Sequence, residues 1–109
     1  MDKAAFFARY SPAASVTIVT LPDGDQVHIR AMTAKAADLV EQAYTRTPSM
    51  MRATLMRWSI CDAEGALVFS DADLPQLADL PASCARVICE AAHDLNGLSP
   101  QAVSATQGE

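Results

Sequence analysis

Residues 15–32 constrain the fold more than any other stretch of this chain. Ser15-Val-Thr-Ile-Val-Thr-Leu21 is rich in β-branched side chains, which suit a pleated, half-buried surface. Gln26-Val-His-Ile-Arg-Ala31 alternates strictly, with Val27, Ile29 and Ala31 on one face and Gln26, His28 and Arg30 on the other. Pro22-Asp-Gly-Asp25 lies between them. Proline fits the first corner of a type I turn, and Gly24 can take the left-handed position that follows. The pattern predicts a β-hairpin. A two-stranded ribbon is marginal in water, so the rest of the chain must cover its apolar face.

The rest reads as helical. Thr33 is placed to cap a helix over 33–46, with Ala36, Ala37, Val40, Ala43 and Tyr44 as its stripe. Thr47-Pro48 stops that helix and starts another, carrying Met51, Leu55 and Trp58 on one face. Asp62-Ala-Glu-Gly65 is a turn, Ala66 to Phe69 a short extended run, and Ser70 a cap before acidic Asp71 and Asp73. The strongest helical signal covers about residues 82–96, where Cys84, Val87, Ile88, Ala91, Ala92 and Leu95 form an apolar stripe. Pro81 suits its entry and Asn96-Gly97-Leu98 its exit, with Leu98 folding back on the last turn. The predicted class is α+β: an N-terminal β-hairpin packed on a small, mainly helical domain.

Chain length supports one such domain: 109 residues bury about 60–70% of the unfolded surface. Residues 1–14 read as a lead-in arm, 15–99 as the single domain and 100–109 as a flexible tail. Three of the six aromatics, Phe6, Phe7 and Tyr10, fall in the arm. They either fold back on the core or dock on a neighbouring subunit or partner. The Met51, Leu55, Trp58 stripe carries the same two readings. It is core, or it lines an apolar groove in which the methionines adapt to an irregular partner.

Charge narrows the partners. The net charge is −5, but residues 1–60 hold seven basic and five acidic groups, and residues 61–109 only Arg86 against eight acids. Phosphate-backbone binding needs clustered cations, so the expectation is no nucleic acid, a local patch of Arg46, Arg52 and Arg57 being the one exception to test. No run of 18 apolar residues marks a membrane span, and five apolar residues before Arg9 are too few for a signal peptide. A cytoplasmic location is expected.

Catalytic patterns are missing. Gly24, Gly65, Gly97 and Gly108 are scattered singly, and neither G-x-S-x-G nor H-E-x-x-H occurs. Cys61, Cys84 and Cys89 form no paired framework and read as buried thiols. Cys89 and His93 share a helix face, but a zinc site needs about four ligands and only Cys61 and sequence-distant His28 remain. An aspartate-rich calcium loop from Asp71 fails, because Gln76 and Ala82 stand where glycine and glutamate are required. The expectation is a non-enzyme without metal or cofactor, and the residues alone point to a protein-binding domain.

Three stretches, taken in order, add a resemblance. Met32-Thr-Ala-Lys-Ala-Ala-Asp38 leads from strand to helix. Cys61-Asp-Ala-Glu-Gly-Ala-Leu-Val-Phe-Ser-Asp-Ala-Asp73 follows an arginine-bearing helix. Leu80-Pro-Ala82 precedes the close Glu90-Ala-Ala-His-Asp-Leu-Asn-Gly-Leu-Ser99. Over about Val27 to Ser99 the chain resembles the tail assembly chaperones of long-tailed bacteriophages and prophages. The first fourteen residues carry no part of that pattern.

The resemblance implies a non-catalytic chaperone of viral tail assembly in the host cytoplasm, absent from the finished particle. It would bind the tape-measure protein, keep it soluble and help recruit tail tube protein through a frameshifted longer form. Its partner-binding residues would come from Met51, Leu55 and Trp58 and from Phe6, Phe7 and Tyr10, with homo-oligomers covering a long partner. Phe69, Leu95, Gly97 and Leu98 read as structural. The alternative is a small cytosolic protein-binding adaptor or regulator unrelated to phage tails.

Overall fold

The turn at residues 22–25 has the chemistry its sequence requires. In the computed structural model, which describes residues 1–97, Gly24 takes φ +95°. Its N–H donates to the Leu21 carbonyl at 2.9 Å, and the Leu21 N–H donates to Asp25 O at 2.7 Å. Strands β1 (Thr17–Thr20) and β2 (Gln26–Ile29) pair antiparallel from Thr17↔Ile29 to Thr20↔Gln26. β1 starts later than the β-branched run does, because Pro12–Ser15 close a 3-10 turn first. Val19 and Ile29 turn inward and are buried.

A third strand, β3 (Ile60–Cys61), pairs with β2 through Ile29↔Ile60 and His28↔Cys61, giving the order β1-β2-β3. Two residues carry no periodicity, so this strand has no signature of its own. The Arg30 N–H, which donates to Ser59 O at 2.9 Å, continues the pairing. After the Asp62–Gly65 turn the chain doubles back, and Leu67 bridges Cys61. The architecture is α+β: among the described residues, the N-terminal hairpin is part of a three-stranded antiparallel sheet beside five α-helices.

The helices are α1 (Lys3–Arg9), α2 (Ala34–Arg46), α3 (Met51–Ser59), α4 (Leu74–Ala78) and α5 (Ala82–Leu95). Thr33 caps α2 by accepting from the Ala36 N–H at 3.0 Å. Thr47 gives its side chain to no cap; Pro48–Met50 form a 3-10 turn that runs into α3. At the start of the short acidic segment the Ser70 N–H donates to the Asp73 carboxylate at 2.8 Å. α3 packs against α2, α4 and α5, and the core gathers Ile29, Leu55, Met56, Ile60, Leu77, Ile88 and Ala92. Burying a side chain such as Leu55 or Ile88 stabilises by about 1.5–3 kcal/mol.

Two faces differ from the sequence pattern. On α2 only Ala36 is buried, and Tyr44 stands 63% exposed. On α5 the buried line is Ala85, Ile88, Cys89 and Ala92, with Cys84, Val87, Ala91 and Leu95 flanking it. The stripe is rotated by about one position, and Cys89 on it lies against α3, its Sγ near the Arg52 carbonyl. Gly97 takes φ +71°, as the exit of α5 requires. The expectations for Leu98 and for a tail over 100–109 lie outside the described residues.

Candidate protein-binding surface

The lead-in is held by its second half. Ala13 packs so closely on Gly65 that a Cβ built at 65 would lie 2.8 Å from the Ala13 Cα. Ser15 Oγ accepts from the Ala31 N–H at 3.0 Å and donates to Pro12 O at 2.7 Å. The seat itself is ordered by Asp62, whose Oδ1 accepts from the Glu64 and Ala66 N–H groups, both at 2.9 Å. Arg30 Nη1 donates to Gly65 O at 2.7 Å, tying the hairpin to the same turn.

Beyond that seat α1 is out in the open. Asp2 caps it by accepting from the Ala5 N–H at 2.8 Å, and no residue of α1 is buried. Phe6, Phe7 and Tyr10 are 49%, 65% and 61% exposed. They touch one another instead: Phe6 meets Phe7 edge-on at 5.7 Å between centroids and Tyr10 at 5.0 Å. The Arg9 guanidinium lies 5.5 Å from the Tyr10 ring centre. Of the two readings of these aromatics, folding back on the core is not what the chain does.

The α3 stripe behaves differently. Leu55 is 1% exposed and belongs to the core. This corrects its place among partner-binding candidates, because nothing reaches that side chain while α3 is packed. Met51 and Trp58, one turn to either side, are half-buried. The Trp58 ring is covered by the Arg57 guanidinium at 3.7 Å, and Arg57 Nε donates to Asp71 Oδ1 at 2.9 Å. The six candidates therefore split between an exposed arm and a core-facing helix.

Arg57 is thereby engaged, and Arg52 lies about 140° from it around the helix axis. Arg46, Arg52 and Arg57 do not form one cationic face. Burial raises the Cys89 thiol to about 11 against the opposing pull of Arg52, and its Sγ lies 3.8 Å from Arg52 O. Burial also raises Cys61, with Arg30 opposing and Asp62 adding to the shift. Burial thus favours the protonated form of both thiols. His28 and Cys61, distant in sequence, are cross-strand partners. Even so, no group of three or more His, Cys, Asp or Glu residues able to hold a metal occurs among the described residues. No described helix is long and apolar enough to cross a membrane.

This topology has a counterpart among solved structures. The structure of the bacteriophage HK97 tail assembly chaperone superposes with a TM-score of 0.63, covering 86% of this chain and 98% of that one at 16% identity. The chain shares the fold of that protein. No protein-family model matches the sequence, and no curated protein matches it significantly. The likeness to the HK97 chaperone is carried by backbone arrangement, where several of the motif positions have structural work. In this fold Gly65 and Asp62 build the seat for the lead-in, and Asn96 joins two elements. Asn96 Oδ1 accepts from the Met32 N–H at 2.8 Å while its Nδ2 donates to Ala92 O at 2.7 Å. In sequence, Asn96-Gly97 reads only as a helix exit. The hydrogen bond to Met32 spans 64 positions and leaves no local trace.

Proposed function

We propose that this protein is a non-catalytic chaperone of phage tail assembly that binds the tape-measure protein and keeps it soluble before the tail tube forms. The observation that carries the reading is the match in fold to the HK97 tail assembly chaperone across nearly the whole of both chains. Exposed apolar side chains give the reading a physical basis. Phe6, Phe7 and Tyr10 form an aromatic cluster with no core to cover it. Aromatic rings bring large contact area at small entropic cost, which suits the apolar face of a partner helix. Half-buried Met51 and Trp58 supply a second, shallower contact. Recruitment of tail tube protein belongs to a frameshifted longer product, and the work is done in the host cytoplasm.

Co-expression with a tape-measure protein tests this. The tape-measure protein is expected in the soluble fraction and bound to the chaperone, with solubility lost when Phe6 and Phe7 are both changed to serine. A tape-measure protein that stays insoluble and unbound beside well-folded wild-type chaperone overturns the reading.

A further inference from the structure

Strand β1 lies at the edge of the sheet, and its outer side has no partner strand among the described residues. Pairing fixes which groups face that side, because opposed residues in an antiparallel ladder alternate between hydrogen-bonded and non-hydrogen-bonded pairs. The Arg30 N–H bonds to Ser59 O, so the even-numbered residues of β2 bond toward β3. The odd-numbered ones bond toward β1, and the bond from the Leu21 N–H to Asp25 O keeps the same phase. Ile18 and Thr20, opposite His28 and Gln26, therefore turn their N–H and C=O groups outward. No hydrogen bond reaches those four groups from any described residue. Both residues are exposed, Ile18 to 54%. The lead-in leaves them open, since its contacts at Ala31 and Gly65 draw it across the end of the sheet toward β3. Open edges are commonly blunted by a charge, a proline or a bulge. Thr17–Thr20 has none of these, and its register with β2 is unbroken.

This edge runs into an apolar notch. Leu21, Pro22, Asp23, Pro81, Ser83 and Cys84 line a hollow of about 160 Å³ between the hairpin turn and the start of α5. No residue of β2 lines it, so it opens on the β1 side. An apolar cavity of ~150 Å³ accepts a benzene ring, which is room for one apolar side chain. Leu21 shares a face with buried Val19 and packs against the core. On a strand added beside β1, the residue opposite Leu21 points the same way, toward the notch. Pro22 has no N–H and ends the ladder there. Beside the notch the surface is acidic. Asp23 Oδ1 accepts from the Asp25 N–H at 3.0 Å, and no cation pairs with either carboxylate among the described residues.

We infer that the β1 edge binds an extended segment of a partner protein, which joins the sheet antiparallel to β1 with an apolar side chain in the notch and a basic one beside Asp23 and Asp25. Main-chain bonds to Ile18 and Thr20 supply affinity, and the notch and the acidic turn supply specificity. The register sets the spacing of that segment. A β-branched residue opposite Ile18 stands three positions after the notch anchor, and the basic residue one or two positions before it. A second copy is a poor occupant, because Thr17–Thr20 brings no basic residue to the turn. The site takes an extended chain rather than the apolar face of a helix, and it does not rest on the chaperone reading.

A labelled peptide blocked at both ends, Lys-Ser-Leu-Thr-Val-Val-Thr, tests the site by fluorescence anisotropy with the full chain. Wild type binds it, and methylating the backbone nitrogen of the Thr after Leu, which faces Thr20, weakens binding at least about tenfold. Replacing the peptide Leu by Ser does the same, as does Ser83→Trp, which fills the notch from an exposed position. Asp23→Asn with Asp25→Asn keeps the side-chain acceptor of the turn and flattens the salt dependence of binding. Hydrogen exchange supplies a signature that an apolar contact alone does not produce. Bound peptide slows the Ile18 and Thr20 amides, whereas Val19, already bonded to β2, changes little. Absence of binding, equal affinity for the methylated peptide, full binding by Ser83→Trp or unchanged exchange at Ile18 and Thr20 overturns the proposal. So does slowing of those two amides with protein concentration alone, which assigns the edge to a second copy. None of these outcomes bears on tape-measure solubility, so the two proposals fail separately.

Discussion

Gly65 does two things that no other residue can do together. Its backbone sits at φ +89°, where a side chain is strained, and the space a Cβ would need is held by Ala13 backbone and side chain at 2.8 Å. Gly65→Ala is expected to destabilise the fold by roughly 2–4 kcal/mol, strain and clash combined. Urea denaturation would show it, and the N-terminal segment should become protease-sensitive first as it leaves its seat. Cys89 makes a different prediction. Its folded value of about 11 lies above the usual 9.0, so the unfolded chain loses its proton first as pH rises. Stability from this group is whole below pH 9 and declines between about pH 9 and pH 11. The decline should be shallower in Cys89→Ala than in wild type, measured as denaturant midpoint against pH. At neutral pH, titration with a thiol reagent should find one fast group, half-buried Cys84, and two that react only on unfolding.

Among elements, the join between α5 and the strand-to-helix passage at Met32 depends on one side chain. Asn96 links the two through hydrogen bonds of 2.8 Å and 2.7 Å. Removing it leaves the half-buried Met32 N–H without that partner and frees the end of α5. Asn96→Ala is expected to cost about 1–3 kcal/mol, with the Met32 amide exchanging faster than its neighbours in hydrogen exchange. Asn96→Asp keeps the acceptor but loses the Nδ2 donor and sets a negative charge at a helix C-terminus. Its loss should fall short of that of alanine. The hairpin and α5 were legible because alternation and helical spacing are local properties of the chain. β3 was not, because two residues become a strand only when β2 offers an edge. The α5 face was readable to within one position. Its orientation is set by packing against α3, a contact between segments distant in the chain.

For the whole molecule, the division that matters is between a packed body and an arm that adds nothing to the core. α1 has no buried residue, whereas Pro12–Ser15 are fitted to Gly65 and Ala31. Deleting residues 1–10 is therefore expected to change stability by less than about 1 kcal/mol. Deletion through Ser15 should lower the thermal midpoint by several degrees, since it empties the seat and leaves the Ala31 N–H without its acceptor. Calorimetry of the two truncations separates the arm from its anchor. Composition, turn chemistry, helix caps and apolar periodicity were enough to determine the α+β class, the hairpin and its turn, and the limits of α2 and α5. These depend on forces between residues close in the chain. Tertiary structure alone decided that Leu55 is core while Phe6, Phe7 and Tyr10 are surface, although both groups are apolar and helically spaced. Periodicity states that a face seeks cover, but only the packing of distant segments decides which faces find it.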